Sequence, residues 1–174
     1  MWASIGEAYD GRSKDSRGRE VPWSAAFISF VVRKAGDSYK NFKFANAHSV
    51  FAHDAIQARF QERRDSPFWG YRVTEQRPTL GNIVLRNRDR GRISFDYAER
   101  NSRYYSHSDI VVEATTEFVR VVGGNVNDSV SMSYGVSGRA TQEYQLDKNG
   151  FIKRDQGVIA ILKNITTGLG DRHV

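Results

Sequence analysis

A serine hydroxyl becomes a nucleophile only when a base takes its proton during attack. Ser24 lies in Pro22-Trp23-Ser24-Ala25-Ala26-Phe27-Ile28-Ser29, at the start of the most apolar segment of the chain. A hydroxyl in a first helical turn sits beside N–H groups without intrahelical partners and at the positive end of the helix dipole. Serine is also a common capping residue at that place. The base candidate is His107, which opens His107-Ser108-Asp109-Ile110-Val111-Val112; an apolar strand beginning there can aim the ring at a helix N-terminus. A catalytic imidazole needs a partner on its other nitrogen. Asp109, two residues on, leaves the same face of a strand and is one candidate. His48 and His53 are five apart, about 140° around a helix, and cannot share a metal ion. The H-E-x-x-H spacing is absent, as are phosphate-loop and dinucleotide patterns, so neither a metal site nor a cofactor is expected. His48 reads as a cleft-lining residue and His173 as part of a terminal tail. The chain has no cysteine, which excludes thiolate catalysis and disulfides.

These residues need elements to hold them. Proline suits the first turn of a helix, so Pro22 predicts the start of one through residue 35, with Arg33 and Lys34 at its negative end and Gly36 beyond it. His48, Phe51, Ala52, Ala55, Ile56 and Arg59 fall at helical spacing and predict a second helix after Asn46. Residues 2–9 read as a short helix, and residues 11–20 and 65–77 as loops. From Pro78 the pattern changes to β-prone runs at residues 82–86, 109–114, 118–122, 129–136 and 157–162. Helices first and an antiparallel meander afterwards predict an α+β fold.

The 174 residues fit one domain spanning the whole chain, and 39% hydrophobic with 12% aromatic residues is a globular composition. The net charge of +6 is concentrated in arginine clusters at residues 12–19, 59–64 and 86–92. Such clusters are either a solvated basic surface or an attraction for a polyanion. For nucleic acid nothing beyond these clusters speaks, since no recognised binding motif accompanies them. The longest apolar run, residues 25–32, is too short to span a bilayer, and residues 1–10 carry no secretory pattern.

Three stretches together resemble the papain-like NlpC/P60 and CHAP hydrolases. Pro22-Trp23-Ser24-Ala25-Ala26-Phe27-Ile28 resembles their W-C-A-A-F-V segment, with serine at the cysteine position. Pro78-Thr79-Leu80-Gly81-Asn82-Ile83-Val84 resembles their strand entry P-x-x-G-D, with asparagine for aspartate. His107 to Val112, followed by Val122-Gly123-Gly124-Asn125, resembles their histidine strand and the next strand ending in a polar residue. The same W-S-A-A-F-I-S, H-x-D-I-V-V and G-G-N-V segments, and the helix around Ala47-His48-Ser49, resemble the DUF2272 family over residues 2–136.

The resemblance implies N-terminal helices packed on an antiparallel sheet. It implies Ser24 as nucleophile, His107 as base and Asn125 as the residue orienting it, with Trp23, His48 and Asp109 at the substrate. It implies cleavage of an amide in peptidoglycan, by an endopeptidase or amidase, with the basic surface favouring an anionic envelope polymer. The protein is then expected to reach the bacterial envelope by a dedicated export route or by phage release. Serine in place of cysteine leaves two alternatives open: a catalytically inactive papain-like binding module, and a lipid ester hydrolase or acyltransferase.

Overall fold

The computed structural model describes residues 22–88, 92–126, 129–131 and 143–166. The expected helix over residues 2–9, the loop over 11–20, the end of the 129–136 run and His173 lie outside the described residues. Among the described residues there are three α-helices and seven strands: α1 (Ser24–Lys34), α2 (His48–Phe60), β1 (Phe68–Tyr71), β2 (Ile83–Asn87), α3 (Phe95–Arg100), β3 (Ser106–Ala114), β4 (Phe118–Val126), β5 (Ser129–Ser131), β6 (Glu143–Gln145) and β7 (Val158–Asn164). The fold is α+β with a seven-stranded antiparallel sheet in the order β1-β7-β2-β3-β4-β5. β6 pairs with β4 at Phe118–Arg120, and β5 pairs with it at Gly123 and Val126, so the two short strands share that edge.

Both long helices bury one stripe. In α1 it is Ala25, Ile28, Ser29 and Val32; in α2 it is His48, Phe51, Ala52, Ala55 and Ile56. Each follows the i, i+3, i+4, i+7 spacing of an amphipathic helix. His48 is thus the first residue of a core stripe, and this alone turns its imidazole inward. The helix stripes pack with Ile83, Leu85, Phe68, Ala160 and Leu162 in one apolar cluster. Val84, Val111, Val119, Val121, Ile161, Tyr144 and Ile152 form a second cluster. The Ile83-Val84-Leu85 run is apolar without alternation because neighbours along β2 serve different clusters. Full burial of each such side chain is worth about 1.5–3 kcal/mol before entropy costs.

Three departures from the sequence reading have physical causes. Pro22 precedes α1 rather than opening it, and Trp23 is the N-cap. Residues 65–77 are not wholly loop: Phe68-Trp69-Gly70-Tyr71 forms the edge strand β1, paired with β7. Gly70 is not a breaker there but a contact, since a Cβ would lie 2.5 Å from Ile56 Cγ1 of α2. Helix α3 was not anticipated, although Ser94 caps it by accepting a hydrogen bond from the Tyr97 N–H (3.2 Å). Among the described residues no helix is long and apolar enough to cross a membrane.

Candidate active site

The starts of α1, α2 and β3 converge with the ends of β2 and β4. Ser24 is the first residue of α1, and Trp23 gives that end no side-chain cap. The first helical bond is Phe27 N–H to the Trp23 carbonyl (2.9 Å), so the N–H groups of Ser24, Ala25 and Ala26 precede the ladder. The Ser24 Oγ lies 2.7 Å from His48 Nε2, a buried hydrogen bond between two side chains 24 residues apart. The partner of Ser24 is therefore His48, where the sequence pointed to His107.

His107 stands next to this pair. Its ring centroid is 5.0 Å from that of His48, and its Nε2–H donates to Asp109 Oδ1 (3.0 Å). Asp109 in turn accepts on Oδ2 from Arg86 Nε (3.0 Å). Pairing of β2 with β3 sets Arg86 directly opposite His107, and the pleat puts Asp109 two residues along the same face. The side-chain hydrogen bond to His107 is thus made by Asp109, whereas the resemblance implied it for Asn125. Asn125 is half-buried near the end of β4, with φ of 57°, a left-handed conformation that asparagine tolerates. It makes no hydrogen bond with His107 among the described residues.

The glycines before it explain the Gly123-Gly124 pair. A Cβ on Gly123 would collide with Asp109 Oδ1 and lie 2.9 Å from His107 Nε2. One on Gly124 would lie 2.7 Å from Cγ of Phe27, on α1. The first glycine makes room for the imidazole–carboxylate pair, and the second lets the serine-bearing helix close on the sheet.

The electrostatics follow from burial. His48 is held well below the ordinary imidazole range, first by desolvation, then by the charges of His107, Arg86 and Arg88, against an opposing pull from Asp109. It is neutral at neutral pH, as a proton acceptor must be. Burial pushes Asp109 up, but the His107 hydrogen bond and the charges of His107 and Arg86 outweigh it, and its carboxyl lies below the usual range. His48 Nδ1 is buried without a hydrogen-bond partner among the described residues, so the orienting partner expected of a catalytic imidazole is present on His107 and absent on His48.

Ser24 and His48 are reached through a cavity of about 570 Å³. Its other walls include Pro22, Asn46, Arg88, Arg103, Tyr104, Tyr105 and Ser106. Trp23 caps α1 beside it, half-buried. Sequence reasoning took Arg86 only as part of the 86–92 arginine cluster, although an arginine near the end of an apolar strand is a visible mark. Arg88, Arg103 and Ser106 carry no such mark, because only the fold gathers them. Among the described residues no three His, Asp or Glu side chains are grouped to hold a metal ion.

A family model described as "Uncharacterized protein conserved in bacteria (DUF2272)" matches residues 1–160. The chain belongs to the DUF2272 family. No curated protein matches it, and no solved structure does. In this DUF2272 chain, the W-S-A-A-F segment forms the α1 start, the H-x-D segment the His107–Asp109 pair, and the G-G-N segment the β4 surface they rest on.

Proposed function

We propose that this chain is a serine acyl hydrolase of papain-like architecture that cleaves amide bonds in peptidoglycan. The observation carrying the chemistry is the 2.7 Å contact between Ser24 Oγ and a buried, neutral His48 at the wall of an open cavity. Papain-like architecture and the envelope substrate rest on the resemblance of the three motifs, and the charge of +6 suits an anionic polymer.

In this reading Ser24 Oγ attacks the carbonyl carbon while its proton passes to His48 Nε2. The bond to the leaving nitrogen breaks as His48 returns that proton to it, leaving an acyl ester on Ser24. Water then adds with His48 again taking the proton, and the ester oxygen leaves as the Ser24 hydroxyl. The N–H groups at the start of α1 are the donors for the developing oxyanion, and each such donor is worth about 3 kcal/mol. Asp109, one ring away, favours the positive charge that His48 acquires. His107 becomes a positioning residue that keeps that carboxylate in place.

Treatment with a fluorophosphonate ester tests the nucleophile, since it labels an activated serine covalently. Wild type is expected to be labelled at Ser24 and to release new amines from purified peptidoglycan, and Ser24→Ala to do neither. Equal product release by both proteins would refute the proposal. Labelling without amine release, but with fatty acid freed from phospholipid vesicles, would move the substrate to lipid esters.

A further inference from the structure

Beyond the reacting pair, the cavity has a composition of its own. Two arginines, Arg88 and Arg103, stand on walls that combine the apolar Pro22, Ala47 and Val50 with the polar Asn46, Ser49 and Ser106. The Ser106 Oγ and Tyr104 hydroxyl, both from this lining, are buried and lack a hydrogen-bond partner among the described residues. A buried hydroxyl without a partner destabilises the fold, and a ligand hydrogen bond would offset that. Ser106 is only 7% exposed and directly precedes His107, so its hydroxyl is fixed by the strand that also holds the site.

We infer that the cavity selects an acyl substrate carrying a free carboxylate, bound by Arg103 and Arg88, with Ser106 and Tyr104 hydrogen-bonding the segment between that carboxylate and the carbonyl at Ser24. This rests on the reading of Ser24 as nucleophile and names its substrate class. Guanidinium groups bind carboxylates through charge-assisted, often paired hydrogen bonds; both arginines are exposed, so solvent and salt screen the attraction. A volume of about 570 Å³ suits a ligand of a few residues. The apolar walls suit the uncharged stretch of such a ligand, and the arginines its ionised end.

The selectivity is read with matched esters: mono-p-nitrophenyl suberate, its methyl ester, and a homologue ending in phosphonate. The carboxylate ester is expected to exceed the methyl ester in kcat/KM at least tenfold, mainly through KM. That ratio should fall toward one in Arg103→Gln and in high salt. Equal turnover of the carboxylate and methyl esters overturns the inference, as does a tenfold preference for the phosphonate. If no ester is turned over above the Ser24→Ala background, the hydrolase reading fails, and binding decides separately. Calorimetry of an N-acetyl dipeptide with the Ser24→Ala protein should then show binding that weakens at least tenfold in Arg103→Gln. Binding equal in both proteins, or none in either, overturns the carboxylate site.

Discussion

At the residue level, the arrangement assigns different work to two neighbouring imidazoles. His48 touches Ser24, whereas His107 touches Asp109. If His48 takes the proton, His48→Gln should lower kcat about 10²–10⁴-fold, the usual range for a lost general base. His107→Gln leaves the Ser24–His48 contact intact but releases Asp109, so it should cost less and act through the pH profile. A larger loss in His107→Gln than in His48→Gln would return the role of base to His107. Asn125 separates a backbone role from an orienting one. With φ at 57°, Asn125→Gly should keep both stability and activity, while Asn125→Val should cost about 1–2 kcal/mol in denaturant unfolding. A Gly variant that is stable yet inactive would restore an orienting function to the amide. The residue types were legible because hydroxyl, imidazole and carboxylate are rare in apolar segments. Which imidazole meets Ser24 was not, since 24 and 83 residues of separation are equally silent until the helices pack.

At the level of elements, the site depends on how closely α1 and β4 approach. Gly123 and Gly124 set that distance by lacking Cβ atoms beside Asp109 and Phe27. Gly124→Ala would force Phe27, and with it α1, away from the sheet; overpacking of this kind costs typically about 1–3 kcal/mol. It should lower Tm and weaken fluorophosphonate labelling together. Unchanged labelling in a destabilised Gly124→Ala protein would mean that the position of α1 does not govern the nucleophile. Helix α1 was legible from its end signals (Pro22, Arg33, Lys34 and Gly36), α2 from its period, and β2, β3, β4 and β7 from their β-branched runs. β1 was missed because Pro67 and Gly70 read as loop residues, whereas Gly70 is needed for contact with Ile56. β6 is too short, at three residues, to leave a period in the sequence. α3 has only six residues, and its capping serine was the signal overlooked.

For the whole molecule, burying the site couples its chemistry to folding. The folded chain holds His48 neutral, while the unfolded chain binds a proton there near pH 6.5. Below that value the unfolded state carries the extra proton, so stability falls as pH drops through 6.5 and keeps falling until the folded imidazole also titrates. Asp109 acts lower down. Its folded carboxyl titrates below the unfolded value of 3.8, so its contribution is present above 3.8 and is lost as pH falls through the folded value. Between pH 6.5 and about 4.5 the His48 contribution therefore stands apart from that of Asp109. Tm measured at pH 8, 6, 5 and 4.5 should decline in wild type more steeply than in His48→Gln, which carries no titrating ring. Parallel curves would show that His48 does not lose its proton affinity on folding, and the neutral acceptor beside Ser24 would then lack its physical basis. The same displacement bears on catalysis: a base held below the imidazole range keeps its lone pair in mild acid, so the acid limb of kcat/KM should lie below pH 6.5. Stability and activity would then diverge on acidification, with the protein losing Tm over a range where the surviving folded molecules still turn over substrate.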